Sequence, residues 1–568
     1  MAVRVATPPE KRYEGRLELT WTNKALRLLA HDDGRYEWVA PSDYRVAEVR
    51  LLLEAEPVGT TRPSGSRAKD NLLIHGDALS GLRSLSSLPE FAREYLGTIR
   101  LAYLDPPFNT QQTFLQYDDA LEHSVWLTML RDRLLQIKPL LAPTGSLWVH
   151  CDDSEQHRLR CVMDEVCGPE NFVATVIWEK SYTRENRTDI STVHDYIHVY
   201  ARNRQDWGKA RNLLPPTDEQ IGRYTNTDDD QRGPWKALPA HAKAGKGRRA
   251  AQFYSITLPS GRVVQPPPGR CWLYTEPRFQ EMVNDHRVWF GKDGNATPAI
   301  KRFLSEVPAG LVPVTIWRHN EVGTTGAAKS EVLALAPEVP PFATPKPEAL
   351  LERIIHIATN PGDVVLDCFA GSGTTAAVAH KMDRRWVTVE REDPVVRDHL
   401  LPRLTSIVSA SDPGGITDHL AWEGGGGFRV LTVAPSMFEV DRGVVVLADW
   451  ATNGALSEAT AAQLGYEFIP DPPFCGRKGR TRLAVVDGLV NEGAVRLLVS
   501  ALGEDERLLV CGTAIDPHAR AILKGLRRGS TMRKIPASIL AEYHIRAEEA
   551  DAASTPTEGR EVDVAAQR

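Results

Sequence analysis

The chain has 568 residues, 42% apolar, 25% charged and 7% aromatic, which excludes a fibrous repeat or wholesale disorder. At roughly 150 residues per domain it holds about three or four domains. Lys and Arg number 68 against 74 Asp and Glu, for a formal charge of −6, so any nucleic-acid-binding surface must be local. The seven cysteines contain no C-x-x-C pair, which argues against a disulfide scaffold or a zinc knuckle, and no metal site is expected. The first residues, MAVRVATPPEKRYEGR, lack an apolar core segment. No run approaches the roughly 18 apolar residues of a membrane span, and the expectation is a reduced, cytoplasmic protein without a membrane partner.

Residues 1–70 read as a mixed N-terminal extension. From Asn71 the pattern changes: NLLIHGDALSGLRSL predicts a buried strand, a turn at His75–Asp77 and a helix start. TIRLAYL predicts a second strand, followed by the loop Asp105, Pro106, Pro107 and Phe108. HSVWLTMLRDRLLQIKPLL has helical spacing, and GSLWVHCDD predicts a further strand. Asp152 and Asp153 at its end are expected to cap the following helix. Apolar strands alternating with helices predict a doubly wound, mainly parallel α/β sheet covered on both faces.

Between residues 181 and 320 the alternation stops. From Lys236 to Arg302 the segment has a local charge of +8, leaving −14 for the rest of the chain. Trp235, Phe253, Tyr254, Trp272, Tyr274, Trp289 and Phe290 interleave with Lys236, Arg248, Arg249, Arg262, Arg270 and Arg287. Basic groups neutralise phosphates and aromatic planes pack on bases or sugars, so a DNA-binding insertion is expected, with some of these aromatics forming its own core. The α/β pattern resumes with the helix TPKPEALLERIIHIAT, then VVLDCFAGSGTT and RWVTVE. Residues 321–410 complete the interrupted domain, 411–543 form a C-terminal α/β addition, and 544–568 read as a disordered tail.

Two motifs carry chemistry. Prolines after Asp105 stop the strand and stiffen a loop at the sheet edge where ligands bind in open α/β folds. The loop offers a carboxylate, a backbone carbonyl and the Phe108 ring, parts that suit a planar base bearing an amino group. Taken alone, D-P-P favours a strand-terminating turn with a solvated Asp and a core Phe. In DCFAGSGTT, from Asp367 through Phe369, Gly371, Ser372, Gly373 and Thr374, glycines let a ligand approach backbone N–H groups. Glu390 ends the next strand, 23 residues beyond Asp367, where an acid accepts ribose hydroxyls. No G-x-x-x-x-G-K-[ST] run occurs, which disfavours a phosphate-binding loop and a helicase motor. A second DPPF at Asp471–Phe474 follows an interrupted strand and reads as a surface turn.

With the catalytic loop preceding the cofactor turn and a basic segment between them, the chain resembles the β-class amino-methyltransferases of DNA. NLLIHGDAL and TPKPEALLERII are similar to motifs of that class. DPPFNTQQTFLQYDD followed by SVWLTMLRDRL resembles the modification subunits of type III restriction systems and related adenine methyltransferases of phage-defence islands. GPW, PSGR, PPPGR, VWFGKDG and KRFLSE in the insertion extend the likeness, which is weakest before Asn71 and after Gly427. The resemblance implies a Rossmann-like methyltransferase sheet with an inserted target recognition domain, and S-adenosylmethionine as cofactor. It implies that Phe369–Gly373 hold the cofactor's amino-acid end, Glu390 its ribose and Asp77 its adenine, with Thr344, Lys346 and Pro347 near its carboxylate. It further implies N6 methylation of an adenine flipped out of double-stranded DNA, with Phe108 stacked on the base. An Asp rather than a Ser opening the loop favours adenine over N4 of cytosine. Helicase-nuclease or defence-complex subunits and a second copy of the chain are the expected partners. N4-cytosine methylation, a DNA-binding scaffold with a vestigial site, and an RNA or protein methyltransferase are the rival readings.

Overall fold

Strands with consecutive apolar residues need cover on both faces, and that is how the central strands are placed in the computed structural model, which describes residues 18–31, 35–110, 122–186, 188–244, 250–307, 310–335, 337–340 and 342–554. Eleven strands form the large sheet: β1 (Leu52–Glu54), β2 (Val58–Gly59), β3 (Asn71–His75), β4 (Ile99–Leu104), β5 (Leu141–Cys151), β6 (Phe172–Glu179), β7 (His194–Ala201), β8 (Ile316–Trp317), β9 (Val364–Asp367), β10 (Arg385–Glu390) and β11 (Gly427–Val433). Their order is β8-β6-β7-β5-β4-β9-β10-β3-β11-β1, with β2 beside β11. The run β5-β4-β9-β10-β3-β11 is parallel throughout. β7 runs antiparallel to β5 and β6, and β1 to β11. Leu72, Leu73 and Ile74 are all fully buried; successive side chains point to opposite faces, so both faces of β3 are covered.

Helices α1 (Ala78–Ser87), α2 (His123–Ile137), α3 (Gln156–Cys167), α4 (Glu348–Ala358) and α5 (Thr374–Lys381) connect these strands. α1 starts where the Asp77 carboxylate accepts the Leu79 and Ser80 N–H groups at 2.9 and 3.2 Å, satisfying donors that a helix start leaves open. It buries Leu79, Leu82 and Leu85, one per turn. Among the described residues no helix is long and apolar enough to cross a membrane.

The segments flanking the core contribute more to the sheet than their composition indicates. The insertion expected over 181–320 resolves into a separate compact unit at Leu213–Pro313. The residues before it form β7, whose Ile197, Val199 and Tyr200 are buried against β5 and β6, and those after it form β8, parallel to β6. β11, expected in the C-terminal addition, pairs with β3, and β1 and β2 of the N-terminal extension pair with β11. Part of the expected tail is helical: a helix runs over Ala537–Ser554 and buries Ile539 and Tyr543, while residues 555–568 lie outside the described residues.

The C-terminal addition carries its own five-stranded sheet: Glu467–Asp471, Phe474–Lys478, Thr481–Val490, Arg507–Ile515 and Thr531–Lys534, in that order. The second DPPF is the tight link between the first two of these antiparallel strands. Asp471, Pro472 and Pro473 are exposed and Asp471 pairs with Arg482, as the surface-turn reading requires.

The unit Leu213–Pro313 folds around Trp272, Phe279, Ile256, Leu258 and Met282. Trp235 and Trp272 are buried, while Phe253 is exposed. Part of its basic charge is matched internally: Lys301 pairs with Asp228 and Asp230 at 2.5 and 2.9 Å, and Arg287 with Asp285 and Glu306, both at 2.6 Å. Arg248 and Arg249 lie outside the described residues.

Candidate active site

The first wall of the site is the loop that leaves β4. Two consecutive prolines end the ladder because neither has an N–H to donate, and four separate anchors fix the loop. The fully buried Trp126 of α2 donates its indole N–H to the Pro107 carbonyl at 2.6 Å. Asn109, at φ +62°, donates from Nδ2 to the buried Glu155 at 2.8 Å. The Phe108 ring stacks on His150 with centroids 5.5 Å apart and 29° between planes. Lys346 donates from Nζ to Asp105 Oδ2 at 2.6 Å.

Behind the loop lies a buried polar chain. The Tyr103 hydroxyl and His150 Nδ1 are 2.9 Å apart, His150 Nε2 lies 3.4 Å from Asp195, and Lys180 donates to Asp195 at 2.6 Å. Burial pushes His150 below the usual imidazole range, which leaves it neutral near pH 7. Burial works to raise the Asp195 carboxyl, but its pairing with His150 and, after it, with Lys180 holds it down at about 2. Because His150 stacks on one face of Phe108, a stacked base has the opposite face available; the Lys346 ammonium lies 5.1 Å from the ring centroid.

The second wall is the turn between β9 and α5. Gly371 and Gly373 adopt φ of +49° and +80°, in the left-handed region that disfavours side chains. A Cβ on Gly373 would stand 2.5 Å from Leu400 Cδ1, and one on Gly371 would stand 3.1 Å from the Phe342 ring. Glu390 Oε2 accepts the Gly371 N–H at 2.8 Å, and its Oε1 accepts Arg391 and Glu392 N–H groups at 2.8 and 3.0 Å. Asp367 accepts the Phe369 N–H at 2.9 Å. Arg403 donates to the Ser372 carbonyl at 3.2 Å and the Thr374 hydroxyl at 2.9 Å. Asp77, besides capping α1, pairs with Arg133 at 2.9 Å, and the Arg133 guanidinium lies 5.7 Å from the Phe369 ring.

Both walls face one cavity of about 650 Å³. It is lined by Asp77, Asp105, Pro106, Pro107, Phe108, Lys346, Asp367, Phe369, Gly371, Ser372, Thr374 and Glu390, and by Thr344. Gly373 and Pro347 are not in its lining; Gly373 shapes the turn instead. Lys346, expected beside a cofactor carboxylate, has Asp105 of the loop after β4 as its ion-pair partner. Asp152 also lines the cavity and does not cap α3, whose preceding residue is Glu155; its carboxylate accepts the Ser154 N–H at 2.9 Å. Sequence reading missed Arg133, Trp126, Trp178, Lys180 and Asp195. The first two stand in SVWLTMLRDRL and carried a signal only as helix residues.

The residues fit a cationic nucleoside cofactor. A turn too tight for a Cβ leaves backbone exposed to the cavity, and Glu390, Asp77 and Asp367 place carboxyl groups around it. Burial drives the Asp367 carboxyl up to about 7, and the charges of Asp105 and Glu390 add in the same direction. Because the folded value lies above the ordinary carboxylate value of 3.8, the native state binds the extra proton between these limits. This group's contribution to stability therefore declines as pH rises from about 4 to 7 and is flat above. In Asp367→Asn that decline is expected to vanish, so the difference in unfolding midpoint between variant and wild type moves in the variant's favour from pH 5 to pH 8. A constant difference across that range in thermal scans contradicts the assignment.

Residues 99–399, more than half of the chain, match the family described as DNA methylase. The Mod subunit of the type III restriction-modification enzyme StyLTI from Salmonella typhimurium is 33% identical over 337 residues, covering 54% of this chain and 49% of that protein. The EcoP15I Mod subunit from Escherichia coli is 24% identical, covering 60% and 62%. Among solved structures, the cytosine-N4-specific PvuII DNA methyltransferase matches at 15% identity with a TM-score of 0.32, covering 59% of this chain and 86% of that one. The matched region thus spans about half to three fifths of the length of the two Mod subunits. With the family match extending from β4 to beyond β10, the protein belongs to the DNA methylase family.

Proposed function

We propose that the protein methylates the N6 amino group of adenine in double-stranded DNA, with S-adenosylmethionine as donor. The observation that carries this reading is the shared cavity: a carboxylate with one oxygen held and one without a partner faces the same space as the glycine turn. Among the described residues, Asp105 Oδ1 is buried without a hydrogen-bond partner, while Oδ2 takes Lys346. A buried acceptor without a partner costs free energy, which a substrate N–H recovers.

When bound, S-adenosylmethionine supplies an electrophilic methyl on a sulfonium. The exocyclic nitrogen of adenine is a poor nucleophile because its lone pair is delocalised into the ring. Asp105 Oδ1 accepts one N–H and the Pro106 carbonyl the other. The Pro107 carbonyl is already taken by Trp126, which leaves Pro106 as the acceptor from this pair. Held from both sides, the nitrogen would pyramidalise and line its lone pair up with the methyl. The N–C bond forms as the donor's S–C bond breaks, the thioether leaves with that electron pair, and the surplus N–H proton then passes to Asp105 or solvent. This is catalysis by positioning and electrostatics, without a covalent enzyme intermediate. The base must leave the duplex to reach the loop, and the Phe108 face opposite His150 receives it. Phe369–Gly373 hold the cofactor's amino-acid end and Glu390 its ribose. The unit Leu213–Pro313 serves as the target recognition domain, and a separate helicase-nuclease subunit supplies restriction where the system has it.

Incubating the protein with duplex DNA and S-adenosylmethionine, digesting the product and identifying the modified nucleoside tests the reading. N6-methyl-2′-deoxyadenosine from duplex DNA is expected. N4-methylcytosine would transfer the same chemistry to the other base, and modified RNA or protein with unmodified DNA would sink the proposal.

A further inference from the structure

Lys346 and Asp105 lie 241 residues apart in sequence, in the two halves of the sheet domain that the insertion separates. Their ion pair at 2.6 Å is largely buried, with side-chain exposures of 8% and 20%. The same ammonium sits 5.1 Å from the centroid of Phe108, so one cation touches both the acid and the ring of the catalytic loop. Asp105 has two oxygens, and Lys346 occupies Oδ2 alone. Oδ1 has no described partner.

We propose that Lys346 is a positioning residue for methyl transfer: it fixes the Asp105 carboxylate so that a single oxygen, Oδ1, is presented to the substrate amino group. A carboxylate free to rotate would offer either oxygen, or both, and would pull the amino nitrogen off the line of attack. Misplacing a reacting group by about 1 Å can cost about 100-fold in rate. This job differs from holding a cofactor carboxylate, which would appear in cofactor affinity. Arg at 346 keeps charge and donors; Met keeps the stem and removes both.

The inference rests on the proposed methyl transfer for its kinetic arm and on the ion pair alone for its structural arm. Lys346→Met is expected to lower kcat by about 100-fold, with the S-adenosylmethionine Kd from titration calorimetry within about threefold of wild type, and Lys346→Arg is expected to restore part of kcat. In thermal unfolding of the cofactor-free protein, Lys346→Met and Asp105→Ala each leave a largely buried partner uncompensated, so their double variant should lose less than the sum of the single losses. Additive losses would remove the pair, and a loss confined to cofactor Kd with kcat preserved would make Lys346 a cofactor ligand instead. If wild type modifies no nucleic acid, the functional reading fails while the unfolding cycle still decides the pairing.

Discussion

Asp105→Asn is expected to reduce kcat for methyl transfer by about 10²–10³-fold, the loss typical of removing one preorganised electrostatic contact, with a smaller fall in unfolding midpoint than Asp105→Ala gives. The amide is isosteric with the carboxylate, and its oxygen turns toward Lys346, which donates to that position at 2.6 Å. The NH2 then replaces the acceptor Oδ1 and faces the substrate amino group donor to donor. Asp105→Ala should lose as much rate and lower the midpoint further than Asn, because the buried ammonium then loses the acceptor as well as the countercharge. The contrast between the two variants separates electrostatics at the reacting nitrogen from packing of the loop. Equal rates for Asn and wild type would remove Asp105 from the mechanism.

Lys381→Met is expected to destabilise the protein by about 3–5 kcal/mol, as breaking a buried ion pair does. Lys381 lies on α5, fully buried, with Nζ 2.8 and 3.0 Å from the two Glu348 oxygens and 2.5 Å from Asp412. Arg403 adds a 2.8 Å contact to Glu348, and the Ile416 N–H a further 3.0 Å contact. Burial acts to raise the Glu348 carboxyl, but the two cations hold it below the usual range. Removing one leaves Asp412 without its ammonium and Glu348 with Arg403 alone. Because Arg403 also holds Ser372 and Thr374, the loss should extend to weaker cofactor binding. The exposed pair Arg496–Glu492 is the control: Arg496→Met should stay within about 0.5 kcal/mol of wild type in denaturant titrations. A similar small change for Lys381→Met would rule out the network as a support of the turn.

Both walls of the cavity were legible in the sequence because each is punctuation. Pro106 and Pro107 cannot continue a strand, and Gly371 and Gly373 mark a turn where side chains do not fit. What holds those walls was not legible. Trp126 and Arg133 sit inside an ordinary helical pattern, and only the packing of α2 against the loop gives the indole and the guanidinium a site to serve. β7, HDYIHVYA, begins with polar residues because Asp195 and His198 find buried partners, so it does not read as a continuous apolar run. Asp152 fits the rule for helix starts, but the chain makes one more turn before α3, and Glu155 at the cap position makes no side-chain cap bond because its carboxylate holds Asn109 and Arg158. Phe108 was assigned to the substrate, yet half of that assignment is already met by His150, a residue whose role depends on Tyr103 and Asp195.

β11 has a practical corollary for anyone dissecting this protein. It lies beyond the last motif of the cofactor half, yet its backbone completes the hydrogen-bond ladder of β3. A shortened protein stopping at residue 410 would retain every residue assigned to chemistry here, but would bare a row of amides and carbonyls along Leu72–Ile74. Such an open rim invites self-association. Expression trials that trim the C-terminal sheet should therefore keep the chain through Val433, and a soluble fragment ending earlier would have to recruit some other strand to seal that edge.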